Sequence, residues 1–236
     1  MRFQFYCYAM VIVLLLAFSL RTGAADEPPK IREPDHLVPV DPYPGDKGIR
    51  YSDQIRTRFK RDSLFQLQML VRPSFTPEYV VRMHGDGKNP WNLSDSEKVF
   101  LTYSIADKSI WHSMPETNKK KEQREVTVST KTADLPKPLA MRLHKLWGRM
   151  LLRTRYPDPD TSYGGFDGDT YEFAMWCRYG EIWSPSQRQS PLLFVELGNS
   201  LIAYCKAAPA ERPAASKAIE DKATQLEKYL EEHASK

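Results

Sequence analysis

Phe65, Leu67, Met69 and Val71 alternate with Leu64, Gln66 and Gln68 in "SLFQLQMLV". A period of two with one polar face is the pattern of a half-buried strand. Three more strands are expected: "PEYVVRMHG", "KVFLTYSIA", rich in β-branched and aromatic residues, and "EVTVSTKT", with Val126 and Val128 on one face. The glycine-rich "HGDGKNP" is expected to turn the chain after the second run, and "SIWHSM" to continue the third after a bend at Asp107.

The period then changes. "LPKPLAMRLHKLWGRMLLRTRYP" places Leu139, Leu143, Leu146 and Met150 at helical spacing, with Pro138 near its start and Pro157 after its end. Arg142, Lys145, Arg149 and Arg153 make a second stripe, the expected solvated face of an amphipathic helix. "TYEFAMWCR" and "EIWSP" read as a hairpin turning at "YGE". A second helix, "SPLLFVELGNSLIAYCKAA", opens with Ser190 as its expected N-cap and Pro191 as its first helical residue. A charged last helix carries the thin stripe Ile219, Leu226 and Leu230, and is expected to dock loosely or pair with a partner. Strands first, then helix, hairpin and helix, give an α+β fold: an antiparallel sheet with amphipathic helices packed on it.

The chain divides into four stretches. Residues 1–25 carry Arg2, the eleven-residue apolar run "MVIVLLLAFSL" and the small residues of "RTGAAD", the order of a secretory signal peptide cleaved after Ala24 or Ala25. The run is shorter than the roughly 20 residues of a membrane span, although a retained segment would act as an anchor. Residues 26–62 form a proline-rich extended leader, whose "HLVPV" offers an apolar grip on the domain surface. The α+β domain spans 63–208, and the charged helix 209–236. Loss of residues 1–25 removes Arg2 and Arg21 and no acids, so 34 basic residues become 32 against 30 acids and the net charge falls from +4 to +2. That balance lacks the basic footprint of a nucleic-acid binder. Cys177 and Cys205 remain, either as a disulfide in an oxidising compartment or as two buried small hydrophobes.

The acidic loop "DPDTSYGGFDGDTYEF" raises the question of a metal. Read as a calcium loop from Asp158, it has tyrosine where the sharp turn needs glycine and Asp169 where a bidentate glutamate belongs, and it runs into a strand instead of a helix. The loop is therefore expected to turn the chain, leaving Asp158, Asp160, Asp167 and Asp169 as residual oxygen donors and no metal or cofactor called for. Glu172 with Asp167 or with His84 is the remaining candidate for an acid/base pair. Tyr171, Trp176 and Trp183 are candidates to line a binding groove on the hairpin.

"GFDGDTYEFAMW", "GEIWSP" and "LLFVELGNSLIAYC" together resemble a group of uncharacterised exported bacterial proteins. In that group a D-G-x-x-Y-x-F strand, a W-S-P turn and a helix ending near Y-C occur in this order; here they span about residues 139–205. The resemblance implies export and a shared α+β domain, and transfers no activity. The chain is thus expected to be exported, periplasmic or secreted, as a non-catalytic binding or structural domain with a protein or envelope component as partner. The alternatives are a secreted hydrolase with dispersed acid/base residues, and a membrane-anchored interaction module.

Overall fold

The computed structural model describes residues 33–40, 45–59, 65–87, 93, 96–117, 120, 122–159, 161 and 167–233. The signal-peptide segment lies outside them. Six strands form one fully antiparallel sheet: β1 (Leu67–Pro73), β2 (Tyr79–Gly85), β3 (Val99–Ala106), β4 (Val128–Leu135), β5 (Asp169–Met175) and β6 (Arg178–Trp183). Their spatial order is β4-β3-β2-β1-β5-β6. The fold is α+β, as the order of periodicities implies. The "SIWHSM" run makes a short 3-10 turn, Trp111–Ser113, where a continued strand is expected.

One face of the sheet carries Leu67, Met69, Val71, Val81, Met83, Leu101 and Phe173. Helix α2 (Lys137–Leu151) and helix α3 (Ser190–Lys206) belong to the same core cluster. Trp147 of α2 meets Phe194 of α3 at 4.3 Å, and Phe194 stacks on Phe173 of β5 at 4.1 Å, so three aromatic rings join two helices to the sheet. Gly198 lets α3 come down onto β1, since a Cβ there would stand 2.2 Å from the Met69 sulfur. Helix α4 (Arg212–Glu232) packs outside α3. Its stripe Ile219, Ala223, Leu226 and Leu230 is buried in the same core, so this helix is an integral layer and docks firmly. Arg142 grips Glu227 through both carboxylate oxygens, at 3.0 and 2.6 Å, and Lys222 reaches Glu196 at 2.7 Å. One member of the expected solvated stripe thus ties α2 to α4.

The opposite face is covered too, and by an element unforeseen in the sequence. The stretch expected to be extended leader contains helix α1, Gly45–Arg58. The prolines stop before it, and Tyr51, Ile55 and Phe59 recur at i, i+4 and i+8. They bury against Leu70, Val80, Ala106, Ile110, Met114 and Val126 as a second core. This layer explains why β1 is buried on both faces and not half-buried, with Gln66 and Gln68 at 2% and 0% exposure. No helix among the described residues is long and apolar enough to cross a membrane.

Candidate functional site

The hairpin β5–β6 holds most of the sequence-derived candidates. Met175 pairs with Arg178, so the turn is the two-residue Trp176–Cys177 and not "YGE". Trp176 takes φ 55°, a left-handed position that favours glycine, with its ring 5.3 Å from that of His144 on α2. The strand pleat then sorts the candidates. Tyr171 faces the helices beside Phe173 and Met175, Glu172 and Trp183 face the other way, and Trp176 caps the turn. Tyr171, Trp176 and Trp183 share a hairpin without sharing a face, so they line no common groove.

Glu172 is paired in register with Glu181, and the carboxylates lie on the face opposite the helices. Arg72 on the neighbouring β1 meets both, at 2.7 Å from Glu181 and 3.9 Å from Glu172. Arg72, Glu172 and Glu181 are 7%, 1% and 8% exposed, so this cluster is closed to a substrate of any size. A guanidinium between two facing carboxylates offsets their repulsion, and the arrangement holds strands together. Sequence reasoning missed Arg72 and Glu181. Placing the turn at Trp176–Cys177 would have put Glu181 opposite Glu172.

Neither expected partner of Glu172 joins it. Asp167 is exposed in the bend before β5. His84 lies two strands across and four residues along, about 16 Å away by ordinary strand spacings. Its Nε2 is 2.9 Å from the Thr102 hydroxyl, its ring stacks on Phe100 at 5.5 Å, and burial pushes its pKa down.

Of the oxygen donors in the acidic loop, Asp160 lies outside the described residues. The Asp158 carbonyl accepts from the Thr161 amide at 2.9 Å and hydroxyl at 2.6 Å, which closes a turn. Among the described residues, no three His, Cys, Asp or Glu side chains come together to hold a metal ion. Cys177 is exposed, Cys205 is buried, and both thiols are free, so the possible disulfide between them is not formed. Burial pushes the Cys205 thiol up to about 12, which keeps it an unreactive hydrophobe.

Asp169 does find a partner. The Tyr171 hydroxyl donates to its Oδ2 at 3.2 Å, and Tyr171 and Tyr79 flank Val71 in register on the helix-facing side. Tyr103 extends this shelf, 6.2 Å from Tyr79 and capped by the Lys206 ammonium at 4.6 Å. The tyrosines at 79 and 171 and the carboxylate of Asp169 are half-buried, unlike the closed glutamate cluster. Burial, reinforced by the charge of Asp169 and by Tyr103, pushes Tyr79 from 10.0 up to about 12. The folded protein therefore keeps a proton that the unfolded chain releases from about pH 10. The stability it contributes is full below pH 10 and is lost as pH rises through about 12. Absorbance titration at 295 nm should show a late phenol in this range, and Asp169→Asn should bring its midpoint down. An unchanged midpoint would separate Asp169 from the shelf.

A groove of about 300 Å3 lies between α1 and the turn after Met114, with Arg50, Asp53, Gln54 and Gln123 among its walls. Arg50 pairs with Glu116 there. None of the sequence-derived candidates lines it. The chain matches no protein-family model, no curated protein and no solved structure.

Proposed function

We propose that the protein is exported and serves as a non-catalytic binding or structural domain of the cell envelope or extracellular space. Export is supported by the charged start, apolar run and small-residue site in residues 1–25. The non-catalytic reading rests on one observation: Glu172, the best acid/base candidate, is buried against Arg72, far from His84 and apart from Asp167. The half-buried shelf of Tyr79, Tyr171 and Asp169 is the surface offered to a partner, since aromatic faces beside a carboxylate suit polar envelope components.

Two measurements test this reading. The intact mass of the exported protein should lack residues 1–25. The mature protein should be retained on isolated envelope fractions, and Asp169→Asn combined with Tyr171→Ala should lower that retention about tenfold, by loss of one polar and one aromatic contact. Hydrolysis of an ester, peptide or glycoside by the purified protein, abolished by Glu172→Gln, would replace the proposal with the secreted hydrolase.

A further inference from the structure

Residues 33–40 form a strap along the outer edge of β6. Its main chain joins the strand at one point, where the Val38 amide donates to the Glu181 carbonyl at 2.9 Å and the Glu181 amide returns a bond at 2.8 Å. Around that point the strap is held by side chains and by one further main-chain bond, from the Arg155 amide to the Leu37 carbonyl at 3.1 Å. Leu37 is fully buried and sits over Gly180, where an added Cβ would stand 3.0 Å from the Leu37 Cβ. The Glu33 carboxylate accepts from the amides of Ser186 at 2.9 Å and Gln187 at 3.0 Å. The Ser190 hydroxyl, expected to cap α3, instead donates to the Asp35 carbonyl of the strap at 2.6 Å.

His36 is the strap's one buried ionisable group, at 1% exposure. Its Nδ1 lies 2.8 Å from Asp35 Oδ1, and its Nε2 lies 3.3 Å from the main-chain carbonyl of Tyr156, after α2. A carbonyl only accepts, and an ionised carboxylate only accepts. A neutral imidazole carries a single N–H. It would therefore satisfy one of these contacts and set a lone pair against oxygen in the other. The imidazolium, with two N–H groups, satisfies both.

We propose that His36 is a proton-operated latch: protonated, it pins the strap to the segment after α2 and so keeps the edge of β6 covered; deprotonated, it gives up one of its two bonds and the strap loosens.

The charges around it are mixed. Asp35 favours the imidazolium. Arg155 lies 3.0 Å from the same Asp35 oxygen, and the charge of Arg153 also acts on Asp35. Burial raises the Asp35 carboxyl, but the hydrogen bond from His36 and the charges of Arg155, His36 and Arg153 outweigh it and hold the group below the usual range, as an acceptor. From α4, Tyr229 faces Asp35 and Arg153 as a neutral phenol, with His233 stacked on its ring at 4.1 Å. Glu33 is engaged with Ser186 and Gln187, and the Glu181 side chain turns away to Arg72. The latched strap holds one more proton than the released one, so release grows with rising pH, by up to about tenfold per unit.

The full mature chain labelled with 15N provides the test. The ring spectrum of His36 should show two protonated nitrogens while the strap is docked. Exchange of the Val38 and Glu181 amides, corrected for the intrinsic rate, should speed up with rising pH, by up to about tenfold per unit. His36→Gln should remove that pH dependence. A ring with one protonated nitrogen beside a docked, protected strap would overturn the latch, and so would pH-dependent exchange that persists in His36→Gln. The wild-type ring spectrum decides the matter even if the variant fails to fold.

Discussion

Replacing Arg72 by methionine should lower stability by about 3–5 kcal/mol at pH 7, read as a fall in the denaturant midpoint. Methionine keeps an unbranched apolar stem, so most of the loss reports the missing charge. What it leaves behind is Glu172 facing Glu181 across β5 and β6, both nearly sealed from water. Directly opposed side chains in an antiparallel pair have Cβ atoms roughly 5 Å apart, and like charges at that separation repel. Two consequences distinguish this account from simple loss of packing. Protonating either carboxylate relieves the repulsion, so the deficit of the variant should shrink as pH falls toward the ordinary carboxyl range near 4. Adding Glu181→Gln to Arg72→Met should recover part of the loss, because the two changes act on one cluster and are not additive. A deficit that is the same at pH 4 and pH 7 would mean that the carboxylates are not held apart by this guanidinium.

That cluster also shows where the sequence stopped being legible. Strand positions are readable because glutamines alternate with apolar residues at the start of β1 and β3 is rich in β-branched and aromatic residues, and the helix layer because Leu139, Leu143, Leu146 and Met150 keep a helical spacing. Register was not readable. The hairpin turn carries tryptophan at a left-handed φ, with no glycine or asparagine to mark it, so "YGE", three residues later, reads as the turn and hides Glu181 as the partner of Glu172. Arg72 belongs to a strand about a hundred positions earlier, and only the non-sequential β1–β5 pairing brings it there. Helix α1 is hidden for a different reason: six prolines dominate residues 26–50, and the helix starts only after the last of them, Pro44. The strap, by contrast, is legible: "HLVPV" is the expected apolar grip on the domain surface, and it buries Leu37 and Val38. On the shelf, the sequence points to Tyr171 and Asp169 separately, one as an aromatic groove residue and the other as an oxygen donor. Their meeting follows from the i, i+2 spacing on one strand face, and Tyr79 joins them through β1.

Glu78→Gln should cost about 3 kcal/mol although it changes neither size nor shape. Glu78 is fully buried just before β2, and its two oxygens serve four donors from two separate stretches of chain. Oε1 accepts the Tyr51 hydroxyl of α1 at 2.9 Å, the Trp111 amide at 3.2 Å and the Ser109 hydroxyl at 3.4 Å. Oε2 accepts the Ile110 amide at 2.7 Å. A carboxylate accepts at both oxygens, whereas an amide accepts at one and donates at the other. In either orientation, glutamine would aim its NH2 at main-chain N–H groups and strand at least one buried donor. Hydrogen bonds to a charged group contribute more than neutral ones, and their loss inside a core is not made good by water. The damage should be confined to one layer. Tyr51 and Trp111, whose rings meet edge to face at 5.2 Å, are both held through Glu78, so α1 and the turn at 109–114 should loosen together. Amide exchange in α1 should accelerate in the variant while α2, α3 and α4, on the other side of the sheet, keep their protection. Equal acceleration in both layers would show that the two cores unfold as one unit, and an unchanged denaturant midpoint would show that Glu78 does not fasten α1 to the sheet.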